Sequence, residues 1–337
     1  MFFLLVDDFG VDYVRKRHAI HLKKAHSKHY ELTENWKGDL YSGINLEWNY
    51  EPIHSKRTVR LTMDDYIAKL WVKYDNPDPG NSQQSPYKHA PIIYGAKVYY
   101  AAEDNDRPTL DADGILRVQY IVGALLFYGW AVDNKLLVFI SELGQQQADA
   151  TQAINDTILH ILDYVATYPS DGIIFWASEM ILSAHSDAAY LNVTKARSRA
   201  GAHIILSENV PVPSYNGPII TIAQIIRNVM SSAAEDKLAG LFICVKEMVL
   251  LRKALTEMGC LQPKSPIKCD NSTAVGVDNQ TIIPQKTKLM EMQFHWLICR
   301  DPQDQFRYFW APGSLNIGDY STKNYPPIYH LSQRKIR

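Results

Sequence analysis

Cysteine is scarce in this chain. Cys244, Cys260, Cys269 and Cys299 form no Cys-x-x-Cys pair among 337 residues. That excludes a disulfide framework and a thiolate zinc site, and it fits a reducing compartment. Net charge is nearly absent as well, at −1 from 35 Lys and Arg against 36 Asp and Glu, so affinity for a polyanion has to come from local basic patches. Long apolar runs are missing: the apolar start at residues 1–6 is cut by Asp7 and Asp8, too short for a signal-peptide core. No stretch approaches the ~20 apolar residues of a membrane span, so a soluble, intracellular protein without a membrane partner is expected. Internal repeats are lacking too. With 46% hydrophobic and 21% charged residues the chain is globular in composition, and its length suits roughly two domains of ~100–200 residues.

Apolar, β-prone residues at 2–6 and 11–14 flank Asp7-Asp8-Phe9-Gly10 and predict a hairpin with two carboxylates at its turn. Residues 15–30 form a basic helical pattern, strand-like runs follow at 41–48 and 58–61, and 64–74 reads as a helix. A stretch rich in Asn, Pro, Gln, Ser and Gly at 76–91 marks a linker. Helical spacing returns at 115–131 and 150–166, where Ile154, Ile158, Ile161, Leu162 and Val165 make one stripe. After Pro169 strands are predicted at 172–177, 180–185, 200–206 and 218–226. A long helix at 232–258 stops at Gly259, followed by a strand at 266–269, a helix at 288–299, a strand at 305–310 and a short helix after Pro312-Gly313. This order predicts an α/β fold, a mixed sheet with flanking helices, preceded by an α+β unit and a mainly helical segment.

Four acids stand at element ends or first turns: Asp187, Glu235, Asp270 and Asp319. Tens of residues separate them, so only the fold can gather them. Close carboxylates repel and need a compensating cation, and oxygen donors without Cys or His favour Mg²⁺. Each acid also has a purely structural use. Ser232-Ala233-Ala234-Glu235 is a capping box, Asp270-Asn271-Ser272 an N-cap cluster, and Asp187 and Asp319 suit solvated loops.

Five blocks in order carry a resemblance: His185-Ser186-Asp187-Ala188-Ala189-Tyr190, Lys195-Ala196-Arg197-Ser198-Arg199-Ala200-Gly201, Ser231-Ser232-Ala233-Ala234-Glu235, Asp270-Asn271-Ser272-Thr273-Ala274 and Gly318-Asp319-Tyr320-Ser321-Thr322-Lys323. Together they resemble the ribonuclease H domain of copia-type retrotransposon polyproteins. Upstream, Leu4-Leu5-Val6-Asp7-Asp8 resembles the paired-aspartate turn of the reverse-transcriptase palm. Gly123-Ala124-Leu125-Leu126-Phe127-Tyr128, Ala131-Val132-Asp133 and Leu162-Asp163-Tyr164 are similar to the connection region. The resemblance implies a palm remnant at 1–75, a thumb or connection segment at 76–170 and a ribonuclease H-like domain at 171–337.

By that resemblance Asp187 bridges two Mg²⁺ ions, with Mn²⁺ as an alternative. Glu235 and Asp270 hold the ion on the leaving-group side, and Asp319 holds the ion that activates the attacking water. The implied reaction is hydrolysis of the RNA strand in an RNA–DNA hybrid, leaving a 3′-hydroxyl and a 5′-phosphate. Arg197, Arg199, Lys286 and Lys288 are the implied phosphate contacts, and Asp7 and Asp8 the polymerase remnant. The remaining polymerase portion of a polyprotein is the implied partner, in a cytoplasmic particle or the nucleus.

The chain departs from the family pattern in several places. Leu5 stands where an aromatic residue is usual, Leu289 where a His usually follows the second Lys, and Ile317-Gly318 where Pro-Ala is commoner. A palm needs a third carboxylate upstream of the pair, so polymerase activity is not expected of these residues alone. Asp8-Phe9-Gly10 matches the kinase metal-binding triplet without the glycine-rich loop and catalytic loop a kinase needs before it. His18, His21, His26 and His29 fit a solvated basic face. The rival expectation is a domesticated or decayed fragment that binds hybrid or a partner without cleaving.

Overall fold

The computed structural model describes residues 2–5, 8–50, 57–74, 82–88, 108–193, 196–210, 213–270, 276 and 288–334. At the N-terminus β1 (Phe2–Leu5) pairs antiparallel with β2 (Asp8–Val11), Leu5 opposite Asp8. The hairpin is shifted from the expected one, because Phe9 and Val11 are β-prone and draw Asp8 into the second strand. Asp8 is exposed, and Asp7 lies outside the described residues.

Helix α1 (Lys16–His26) carries the basic pattern and buries only Ala19. A sheet of four strands then runs β3 (Leu40–Tyr41), β4 (Ile44–Asn49), β5 (Thr58–Thr62) and β6 (Gly172–Trp176). Ser42 and Gly43, both at positive φ (51° and 76°), turn β3 into β4 as a two-residue hairpin requires. Strand β6 pairs with β5, Val59 opposite Phe175, so it lies in this first sheet and not with the later strands. Helices α2 (Asp64–Lys73), α3 (Ala112–Ala131), α4 (Leu137–Gln146) and α5 (Gln152–Thr167) share one core, in which Ile67, Leu70, Ile121, Leu125, Ile158, Ile161 and Val165 are buried. Each such Leu or Ile withdrawn from water contributes ~1.5–3 kcal/mol. That core joins residues on both sides of the expected linker at 76–91, and Tyr87 within that stretch is buried in it against Phe139.

Contrary to the expectation drawn above, α3 at 20 residues is long and apolar enough to cross a membrane. Its Val118, Ile121, Val122, Leu125 and Tyr128 are spent on the helical core instead.

The second sheet has five strands: β7 (Ile181–Val193), β8 (Arg197–Ser207), β9 (Pro218–Ile226), β10 (Ser265–Cys269) and β11 (Phe306–Trp310). Their order is β11-β10-β7-β8-β9. Strands β7, β8 and β9 are antiparallel neighbours, while β10 lies parallel between β7 and β11. Helix α6 (Ala233–Glu257) crosses this sheet through Leu238, Leu241, Cys244, Val245 and Met248, and α7 (Lys288–Ile298) packs beside it through Trp296 and Phe242. Ser232 caps α6 by accepting from Glu235 N, and Gly259 follows its end at φ 89°, the left-handed position where glycine is favoured. The chain closes with 3₁₀ turns at Gly313–Leu315 and Ile317–Ser321 and with α8 (Pro327–Gln333). An antiparallel trio extended by two parallel strands, with the first strand central, is the ribonuclease H-like arrangement.

Candidate carboxylate site at the strand ends

Asp187 sits on the central strand β7, with its side chain 1% exposed. The parallel register sets Lys268 beside His185, so two residues further along both chains Asp270 leaves β10 level with Asp187. On the other side Asp187 lies opposite Gly201 of β8. A methyl at Gly201 would stand 2.6 Å from Gly318 O and 2.6 Å from Thr322 Cγ2, so the missing side chain is what lets the 3₁₀ turn lie flat on the sheet. Asn316 fixes that turn, donating to Ser186 O at 2.8 Å and accepting from Gly318 N at 3.1 Å. Asp319 is thereby brought beside Asp187, with Thr322 Oγ1 2.7 Å from Asp319 O and 3.3 Å from Asp187 Oδ2. Three of the four expected acids are therefore neighbours.

Glu235 is differently engaged. Its Oε2 accepts from Ser231 N at 2.8 Å and from Ser231 Oγ at 2.5 Å, while its own N–H donates to Ser232 Oγ at 3.2 Å. Ser232 caps the helix, while the Glu235 carboxylate is turned to the helix start and returns to Ser231, one residue before the cap, instead of to the Ser232 N–H.

The centre of the cluster is taken by Lys237. Its Nζ donates to both Asp270 oxygens at 2.8 Å and to Asp187 Oδ1. Burial draws the Lys237 pKa down, but Asp187 and Asp270 raise it above the usual lysine value, so the ammonium stays charged. Burial raises the Asp187 pKa, with Asp319 adding to the rise, while Lys237 opposes both. Asp319 has its own partners in Lys323 Nζ at 2.8 Å and in the Tyr325 hydroxyl, which donates to Oδ2. Next to Lys237, the wholly buried Asp236 has its pKa pushed up to about 6, by burial first, with Ser198 and Lys237 opposing. Trp310, 56% exposed, donates its indole N–H to Asp270 O at 3.1 Å and presents an aromatic face at the rim.

In kind, oxygen donors from Asp187, Asp270 and Asp319 suit a hard divalent ion. As arranged they do not fit one. Lys237 Nζ stands between two of them, and among the described residues no three His, Cys, Asp or Glu side chains close around a common ion.

The expected phosphate contacts divide. Arg197 is half-exposed near Gln145, with Nη1 3.5 Å from Oε1. Arg199 is a correction: it is fully buried, pairs with Glu142 at 2.9 Å, and has no surface to offer a phosphate. The alternation of β8 points it under α4. Lys286 lies outside the described residues, as does the side chain of Lys288.

Sequence reasoning passed over Lys237, Asp236, Lys323 and Trp310. A signal for Lys237 was present: it lies one turn before Leu241 on the stripe 241, 244, 248 that faces the sheet.

No known family profile matches the chain. The retrovirus-related Pol polyprotein of the transposon TNT 1-94 from Nicotiana tabacum is 22% identical over 172 residues, 51% of this chain and 12% of that polyprotein. Among solved structures, LC11-RNase H1 isolated from compost overlaps 42% of this chain and 93% of its own at a TM-score of 0.33 and 10% identity. The N-terminal RNase H domain of rv2228c from Mycobacterium tuberculosis overlaps 43% and 96% at 0.30 and 13% identity. LC11-RNase H1 in complex with an RNA/DNA hybrid overlaps 42% and 93% at 0.28 and 8% identity. Scores this low add nothing to the strand order, which carries the fold by itself. By its sequence blocks and its sheet, the chain resembles the C-terminal part of a copia-type retrotransposon polyprotein and contains a ribonuclease H-like domain.

Proposed function

We propose that this chain acts on RNA–DNA hybrids as the ribonuclease H-like part of a retroelement polyprotein. The observation that supports this most is the meeting of Asp187, Asp270 and Asp319, from three distant segments, at one end of a mixed sheet. The exposed Lys323 and Trp310 stand at that end, with half-exposed Arg197 elsewhere on the domain beside Gln145, and they suit a phosphate backbone and a sugar or base face. The 2′-hydroxyls and groove shape of the RNA strand are what such a surface reads to tell hybrid from DNA. Hydrolysis of the RNA strand is the reaction proposed for the acids, which would hold Mg²⁺ or Mn²⁺ only in an arrangement where the Lys237 ammonium has moved off their oxygens. A second reading, hybrid binding without cleavage, is favoured by the ammonium lodged among them. The proposed setting is intracellular, in a cytoplasmic particle or the nucleus, alongside the polymerase portion of the same polyprotein.

Incubation of a labelled hybrid with the full chain, in Mg²⁺ and in EDTA, separates the two. Cleavage only in Mg²⁺ establishes the hydrolase. Retention of intact hybrid in both buffers establishes the binding module, and an outcome with no cleavage and no retention overturns the proposal.

A further inference from the structure

We propose that Lys237 is a built-in counter-cation of the carboxylate site, holding Asp187 and Asp270 together without metal and competing with any divalent ion for their oxygens. The inference gives a regulation to the hybrid-acting reading above, but its observations are independent of it. The Lys237 ammonium meets both oxygens of Asp270 and one of Asp187. Asp187 is 1% exposed at its side chain, so without that ammonium its charge would stand in a dry setting beside Asp319 and near Asp236. Among the described residues, the other ammonium at the site, Lys323, is committed to Asp319. An ammonium and a metal ion on the same oxygens repel each other, so a metal ion binds these acids more weakly while Lys237 stays in place.

The path out exists. The Lys237 side chain is 24% exposed and springs from the first turns of α6, and a lysine stem is flexible enough to swing to solvent. A phosphate at the rim would offer the departing ammonium a new anionic partner.

The test uses the full chain with Lys237→Gln and the double variant Lys237→Gln/Asp270→Asn. Free Mn²⁺ is counted by electron paramagnetic resonance, and melting temperature is read in EDTA and in millimolar Mg²⁺. The wild type should melt equally in both buffers and bind Mn²⁺ at least tenfold more weakly than Lys237→Gln. Lys237→Gln should melt about 5–10 °C lower in EDTA and recover in Mg²⁺, as expected for loss of one partner of a buried pair. Wild-type protein that binds Mn²⁺ as tightly as the variant, or a variant that melts like wild type in EDTA, overturns the proposal. Should Lys237→Gln fail to fold, the double variant decides: with the repulsion relieved it should fold and bind no Mn²⁺, and its failure to fold also overturns the proposal. Fluorescence anisotropy of a labelled hybrid in EDTA reports on the hybrid-acting reading separately, so either idea can fail while the other stands.

Discussion

Gly201→Ala tests how closely the site depends on the fold. The added methyl would lie 2.6 Å from Gly318 O, 2.6 Å from Thr322 Cγ2 and 3.0 Å from Ser321 C, and two of these three are backbone atoms that cannot rotate away. The 3₁₀ turn must rise off β8, carrying Asp319 away from Asp187. Overpacking of this kind costs ~1–3 kcal/mol, and contact with backbone puts Gly201 at the upper end. At ~2–4 °C per kcal/mol for a domain of this size, melting should fall by ~5–10 °C. Gly123→Ala is the matched control. Gly123 lies within α3, where an added methyl would find nothing within 4 Å, so the same substitution should gain ~0.5–1 kcal/mol by restricting the unfolded chain. Circular dichroism melts of the two variants check the pair. Gly201→Ala melting within a degree of wild type would refute the close packing on which the placement of Asp319 rests.

Four further outcomes follow from the same geometry. Glu235→Gln keeps the acceptor for Ser231 and should cost under ~1 kcal/mol, whereas Ser232→Ala should cost ~1 kcal/mol; wild-type hybrid cleavage by Glu235→Gln would leave that residue a cap and nothing more. Asp236 has a folded pKa near 6 against ~3.9 unfolded, so its burial costs nothing below pH ~4 and costs progressively more as pH rises through 6. Asp236→Asn should therefore match wild type at pH 4 and exceed it by up to ~3 kcal/mol at pH 8, and a pH-independent difference would contradict this. Arg199→Ala should destabilise by ~3–5 kcal/mol without altering the salt dependence of hybrid binding, because its charge is paired and buried. Arg197→Ala should instead lower the slope of log affinity against log salt by about one.

The long regular elements were legible because their periodicities are strong. The stripe of α5, the N-cap and C-terminal glycine of α6, and strand β9 all lie where apolar spacing and capping residues put them. Helix α4 was missed, since Leu136-Leu137-Val138-Phe139-Ile140 is apolar all round and shows no period to read. Strand β6 was grouped with its sequence neighbours, although pairing with β5 is a long-range choice that no local pattern specifies. At the site, the acids could be named but their company could not. Whether Glu235 faces the cluster or its own helix start depends on one turn of rotation, and Lys237 matters only once the register of β7 and β10 sets Asp187 and Asp270 level. Arg199 looked like a surface cation, yet alternation along β8 buried it against Glu142.

The most direct test of the central claim is a competition measurement in EDTA, in which a labelled RNA–DNA hybrid bound to the full chain is challenged with unlabelled hybrid, duplex DNA and duplex RNA of the same sequence. The account predicts that hybrid displaces the label best, that affinity falls steeply with salt, and that Trp310→Ala weakens hybrid binding more than it weakens residual DNA binding. Equal displacement by all three duplexes, or a hybrid that is not bound at all, would contradict it.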